Sequence, residues 1–295
     1  MRDSGRTSLT QTGDGKYTLS FLDLESAAVQ KVALVKVGPE NLAECGIGCI
    51  RSGDNPGYGR KVEWLRKRFD EGLRFLLLRD QREKPLGFLE YVPGEFAWRP
   101  VDAQGWLFVH CLWVFPAGQK IRGLGSRLIR ACVEEAGRAC STGVAAMVSS
   151  GTWMAGKEVF LKNGFTKIAE RDRFELVVHR LREGAEPRFR DIVHNGEKCG
   201  GLHIVYSDQC PMLSKSVNDV CEMAAECGLK KPRVTVLKSA YEAQNAPSYY
   251  GAFSLLWNGR LLSDHYVSKG RFRNILRKEI LNGKEQFPKR LSTHS

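Results

Sequence analysis

The sequence predicts two α/β domains, the first and larger built on a mixed central sheet flanked by helices. Three observations carry this reading. The chain is 295 residues long, more than one core usually serves. Through the first half, β-branched runs alternate with amphipathic stretches of helical period. The composition then shifts: "REGAEPRFRDIVHNGEKCGG" is polar and glycine-containing, and strand patterns restart beyond it. The boundaries drawn are a mobile arm over 1–20, a first domain over 21–182, a linker over 183–200, a second domain over 201–282 and a basic tail over 283–295.

The elements follow in order. "KVALVKV" reads as a strand that stops at Gly38-Pro39, where a helix can begin. "GYGRKVEWLRKRFDEG" places Val62, Leu65 and Phe69 on one helical face and ends at Gly72. "LRFLLLRD" and "PLGFLEYVPG" read as strands joined by the polar turn "QREK", and "GWLFVHCLWVFP" as a strand closed by Pro116. A helix follows with Leu128, Ile129 and Cys132 turned inward. "GVAAMVSS" is a buried strand, "WMAGKEVFLKNG" a helix and "RFELVVHRL" a strand. The second half reads strand "LHIVY", helix "PMLSKSVNDVCEMAAECG", strands "RVTVL", "AFSLLW" and "RLLSDH", and a helix from Ser268. Asn258-Gly259 between two apolar runs predicts a hairpin.

Composition excludes several classes. Hydrophobic residues make up 42% and charged residues 26%, as in globular proteins. No apolar run is long enough for a membrane helix. The start, "MRDSGRTSLTQTGDGKYTLS", is polar and lacks the apolar core of a secretory signal. The nine cysteines are odd in number and read as reduced thiols. Cys45 and Cys49 have no second pair at matching spacing, so no metal site is expected. The net charge is +12, and the last 27 residues hold eight Lys/Arg against two Asp/Glu. Without a nucleic-acid-binding motif, this reads as a basic tail and a solvated helix face. Neither a nucleic-acid nor a membrane partner is expected, and the localisation expected is cytoplasmic.

The chemistry centres on "WVFPAGQKIRGLGSRL", where a strand ends and glycines open a helix. Amides at such a start lack intrahelical partners, and glycine lets a phosphate approach the main chain. Lys120, Arg122 and Arg127 add positive charge. A Walker loop is excluded because no Gly-Lys-Ser/Thr follows, and Leu128 stands where a dinucleotide fingerprint has its third glycine.

Lys120-Ile121-Arg122-Gly123-Leu124-Gly125 resembles the Q/R-x-x-G-x-G/A acyl-CoA motif of the GNAT superfamily of N-acyltransferases, with Lys120 in place of Gln/Arg. "KEVFLKNGF" resembles that family's last helix and its "GF" ending, and the resemblance runs from about Val32 to Val178. It implies acetyl-CoA as cosubstrate, its pyrophosphate held at Lys120, Ile121, Arg122, Gly123, Leu124, Gly125 and Ser126. It also implies that the preceding strand splays from its neighbour, so that Leu112, Trp113 and Val114 hold pantetheine and the thioester. The acceptor it implies is the amine of a small molecule. Neutralising an amine of pKa about 10.4 at pH 7 costs about 4.6 kcal/mol, which a base can offset. His110 is the candidate base; a packed strand histidine is the alternative. Cys111 alternates to the other face and reads as core, while Glu90 and Glu95 are weaker candidates. The family's usual tyrosine acid falls on Phe160, which cannot donate. Ser149 and Ser150 are the substitutes considered, with helix capping as their structural alternative.

In the second half, Cys210 precedes a helix that opens at Pro211, a setting that favours thiolate. "Strand–Cys-Pro" resembles the start of thioredoxin-like domains, but Leu213 replaces the second cysteine. Pro247 falls where a cis-proline would face Cys210. A GNAT domain followed by such a segment resembles the YoaP-like acetyltransferases. The reading is therefore an acetyl-CoA-dependent N-acetyltransferase with a smaller thioredoxin-like C-terminal domain. The alternatives are a non-catalytic CoA-binding sensor or scaffold, and a thiol-binding protein acting through Cys210.

Overall fold

The computed structural model of the chain describes residues 8–11, 17–20, 32–50, 53–115, 121–192 and 200–281. Two compact units emerge: one of Met1–Ser52, Val62–Ala97 and Val101–Phe189, the other of Gly53–Lys61, Trp98–Pro100 and Arg190–Ser295. The basic tail and Lys120 lie outside the described residues.

The first unit contains β1 (Ser8–Gln11), β2 (Tyr17–Ser20), β3 (Val32–Val37), β4 (Arg74–Arg79), β5 (Pro85–Pro93), β6 (Val101–Asp102), β7 (Leu107–Val114), β8 (Gly143–Ser149), β9 (Thr166–Arg171), β10 (Phe174–Arg180) and β11 (Arg188–Phe189). Nine of them form one sheet in the order β1-β2-β3-β4-β5-β7-β8-β10-β9, and β6 pairs with β11. Only β7 and β8 run parallel in that sheet. Within 1–20, expected as an arm, Ser8–Gln11 and Tyr17–Ser20 extend the sheet past β3: β1 pairs with β2, and β2 with β3.

The helices of this part of the chain are α1 (Leu42–Cys45), α2 (Tyr58–Asp70), α3 (Leu124–Arg138) and α4 (Glu158–Leu161). On α3, Leu128, Ile129 and Cys132 are buried as the periodicity requires. They join Leu89, Tyr91, Val109, Leu112, Val144, Ala146 and Val148 in one core, each large apolar side chain contributing about 1.5–3 kcal/mol. On α2 the buried face is Trp64, Leu65 and Arg68, with Val62 and Phe69 only half-buried. Arg68 can turn inward because it lies over the Trp64 ring, 5.8 Å from its centroid, and meets Glu71 at 2.8 Å.

The helix expected over "WMAGKEVFLKNG" shrinks to the single turn of α4. Trp153 sits at φ +73, a left-handed conformation that interrupts a right-handed helix. The end of α4 is a Schellman motif: Gly164 at φ +81, Phe165 N–H donating to Phe160 C=O, and Gly164 N–H to Leu161 C=O.

The second unit contains β12 (Leu202–Tyr206), β13 (Arg233–Val236), β14 (Phe253–Trp257) and β15 (Arg260–Ser263), in the order β13-β12-β14-β15. β12 is parallel to β13 and antiparallel to β14, and β14 is antiparallel to β15. Its helices are α5 (Met212–Glu226), α6 (Ala240–Gln244) and α7 (Lys269–Ile275). Asn258 and Gly259 lie at φ +47 and +78, the signs of a type I′ hairpin. Ser239 and Ser268 cap α6 and α7, accepting from Glu242 N–H and Arg271 N–H. The two early stretches are built into this unit: Arg60 Nη1 donates to Tyr206 Oη at 2.5 Å, and Arg99 Nη1 to Gln209 Oε1 at 2.6 Å.

Candidate active site

The site forms where β7 and β8 part. Their pairing covers Leu107↔Val144, Phe108↔Ala145 and Val109↔Ala146 and ends there. Beyond it β7 stays with β5 as far as Val114, and β8 stays with β10 as far as Ser149. The sheet thus opens beside Leu112, Trp113 and Val114, as the splay reading expects.

A β-bulge shapes the rim. Tyr91 faces Val109 and Glu90 faces Cys111, so His110 is an extra residue in β7. Its imidazole is fully buried, with Nδ1 3.5 Å from Glu90 Oε1. It packs against Phe108 and Trp64, ring centroids 6.1 and 6.3 Å away. The bulge also breaks the alternation assumed for Cys111, which is exposed rather than part of the core. Leu112 is buried with Leu89 against α3, while Trp113, across from Phe88, is 52% exposed.

Counting along the strands aligns the two sides of the opening. From the Tyr91↔Val109 pair to Phe88↔Trp113 is three residues of β5, and from Ala146 to Ser149 is three residues of β8. Trp113 and Ser149 therefore stand level. Val144, Ala146 and Val148 belong to the core under α3, so Ser149 points to the other face, which it shares with His110 and Glu90.

At the helix start the two glycines do different work. Gly123 lies at φ +83, and a Cβ built there would have nothing among the described residues within 4 Å. Its side is open to an anion, and α3 makes its first intrahelical bond only at Arg127 N–H to Gly123 C=O. The amides of Leu124, Gly125 and Ser126 precede that bond. A Cβ at Gly125 would lie 3.2 Å from Val159 Cγ2 and 3.8 Å from Val114 Cγ2. This glycine lets α3 start against α4 and the end of β7. Asn163 Nδ2 holds Ser126 Oγ at 2.8 Å.

Arg122 is exposed beside this start. Arg127, expected to face the same anion, is instead buried and donates from Nη2 to Val32 C=O at 2.9 Å. Burial, and secondarily Arg130, pushes its pKa down. Phe160 is buried edge to face with Phe165. Ser149 is buried and Ser150 exposed. Ser149 Oγ accepts from Gly151 N–H at 3.1 Å and from Arg173 Nη1 at 3.0 Å. It closes the turn after β8, and does not cap α4.

Within the second unit, Cys210 is half-buried and Leu213 N–H donates to its carbonyl. Arg99 lies over the Tyr250 ring at 5.2 Å. No cis peptide bond occurs among the described residues, so the bond before Pro247 is trans. Burial pushes up the thiols of Cys221 and Cys227. No disulfide joins the described cysteines, and no cluster that could hold a metal occurs among the described residues.

Arg173, Asn163 and Trp64 escaped the sequence reading. Only tertiary structure brings Arg173 to Ser149; Trp64 was legible in principle, one position from Leu65 on the apolar face of α2.

The diverging parallel pair lies beside the glycine-opened start of α3, with a Cβ at Gly125 3.8 Å from Val114 Cγ2. Residues 48–154 match the model of the acetyltransferase (GNAT) family, so the chain carries a GNAT acetyltransferase domain and is an acyltransferase. It is similar to the uncharacterized N-acetyltransferase YoaP of Bacillus subtilis (strain 168), 28% identical over 251 residues, with 82% of this chain and 97% of the relative covered. Among solved structures it is similar to an acetyltransferase of the GNAT family from Staphylococcus aureus (11% identity, 51% of this chain and 99% of that one, TM-score 0.38). Another is a GNAT family acetyltransferase from Brucella melitensis in complex with acetyl-CoA (14% identity, 54% and 96%, TM-score 0.33).

Proposed function

We propose that the chain transfers an acetyl group from acetyl-CoA to the amine of a small molecule by direct attack on the thioester. The observation that carries this is the end of β7–β8 pairing at Val109↔Ala146, next to the open start of α3 at Gly123. The residues fit the cosubstrate. The amides of Ile121 to Ser126 would hold its pyrophosphate, with Arg122 and Lys120 adding charge, and the backbone of Leu112 to Val114 would line its pantetheine arm. Acetyl-CoA supplies the acyl group and the leaving thiol.

His110 acts as the base, its Nδ1 3.5 Å from Glu90 Oε1. Ser149 stands level with Trp113 at the opening and serves the departing sulfur. Ser150 is exposed on the following turn and is the weaker choice. The test is thiol release from acetyl-CoA against a broad panel of amines. Saturable, amine-dependent release supports transfer, and CoA binding without any release would favour the sensor reading.

The second unit is read as a thioredoxin-like domain of roughly 201–282. Its strand order, with one parallel and two antiparallel pairings, supports this. Cys210 at the start of α5 is its candidate reactive thiol, whose thiolate would attack a disulfide-bearing molecule to form a mixed disulfide while the other sulfur leaves as thiolate. No described helix is long and apolar enough to cross a membrane, and the cytoplasm is the compartment proposed.

A further inference from the structure

The geometry points to Ser149 as a hydrogen-bond donor to the CoA sulfur, oriented for that task by Arg173. The inference rests on the acetyl-CoA reading above. A serine hydroxyl has two acceptor lone pairs and one hydrogen. Both acceptor directions of Ser149 are taken, by Gly151 N–H at 3.1 Å and Arg173 Nη1 at 3.0 Å. Among the described residues nothing accepts its hydrogen. The hydroxyl is thereby fixed as a donor. It sits at the last residue of β8, level with Trp113, on the face that carries His110.

Arg173 is itself held. Its guanidinium lies 4.3 Å from the Phe174 ring centroid, and Phe174 pairs with Ser149 across β10 and β8. Gly151 makes room for it: a Cβ there would come 2.7 Å from Arg173 Nη1 and 3.3 Å from Ser149 Oγ. A cation bonded to the far side of a hydroxyl polarises its O–H and strengthens the bond it donates. No proton need transfer: as the carbon–sulfur bond breaks, the electron pair stays on sulfur and the thiolate accepts the Ser149 O–H. The amine's proton goes to His110. Ser149 is the group that touches the reacting atom, and Arg173 is a positioning residue. The site thus supplies thiolate stabilisation that Phe160 cannot.

The test uses the full chain with CoA, whose free thiol reports directly. Ultraviolet thiolate absorbance of the bound thiol is titrated with pH, with desulfo-CoA as the blank. The wild type should hold bound CoA with a thiol about tenfold more acidic than in solution, the worth of one hydrogen bond to a charged group. Ser149→Ala and Arg173→Met should abolish that shift without weakening desulfo-CoA binding, and Arg173→Lys should restore part of it. Gly151→Ala, which keeps both functional groups but crowds them, should give an intermediate value. Desulfo-CoA binding also shows that each variant is folded. If CoA binds and its thiol titrates alike in wild type and Ser149→Ala, the inference is overturned. If the wild type binds no CoA, the acetyl-CoA reading itself fails.

Discussion

His110 Nδ1 lies 3.5 Å from Glu90 Oε1, and both side chains are sealed from solvent. Breaking a buried charge pair by removing one partner costs about 3–5 kcal/mol. His110→Ala should therefore destabilise the fold in denaturant titrations, and Glu90→Gln combined with it should recover much of the loss. The same variant should lower turnover most near neutral pH, and less at high pH where the amine is already neutral. A pH–rate profile parallel to the wild type would make the pair structural.

Gly123→Glu separates folding from cofactor binding. No described atom lies within 4 Å of a Cβ built there. The left-handed φ costs about 1–2 kcal/mol, and a carboxylate at a helix N-terminus offsets part of it. Thermal unfolding should shift little while calorimetric CoA affinity collapses. Unchanged affinity would refute the placement of the pyrophosphate.

Phe160→Tyr should not restore a proton donor. Phe160 is buried edge to face with Phe165, 5.2 Å between centroids. A hydroxyl placed there without a partner costs about 1–3 kcal/mol. Lower stability with no gain in turnover is expected, checked by unfolding and by thiol-release kinetics.

Cys210, Cys221 and Cys227 are all half-exposed, which makes them a matched set for alkylation. Burial pushes the latter two thiols up, so at slightly acidic pH they hold less thiolate. Iodoacetamide followed by peptide mass spectrometry should label Cys210 first. Equal rates would leave Cys210 an ordinary helix-start cysteine.

A chain ending at Phe189 should unfold at markedly lower temperature than the full chain, or aggregate. It retains Arg60 and Arg99 but loses Tyr206 and Gln209, their hydrogen-bond partners. A melting curve unchanged on truncation would show that these stretches hold their conformation alone.

Much of the site was legible because short-range chemistry writes it. The glycine pair of "KIRGLGS" marks a helix start, and Asn258-Gly259 spells the hairpin in which both residues take positive φ. The bulge at His110 was hidden, since alternation along one strand says nothing of a residue added relative to its neighbour. It moved Cys111 from expected core to surface. Arg127 carried charge in the right place along the sequence, but the helix turned it inward to Val32. Arg173 was out of reach for a simpler reason: it lies 24 residues beyond Ser149 and meets it only through the β8–β10 pairing.

The three-stretch construction of the second unit sets a timetable for synthesis. Arg60 and Tyr206 are 146 residues apart. At about 5–20 residues per second, a ribosome needs about 7–30 s to deliver the second after the first. Through that interval the early stretches exist without the strand they will pack on. A nascent chain that has finished its large sheet is still waiting for its last third, and a chaperone or protease encountering it then meets a different surface from that of the mature protein.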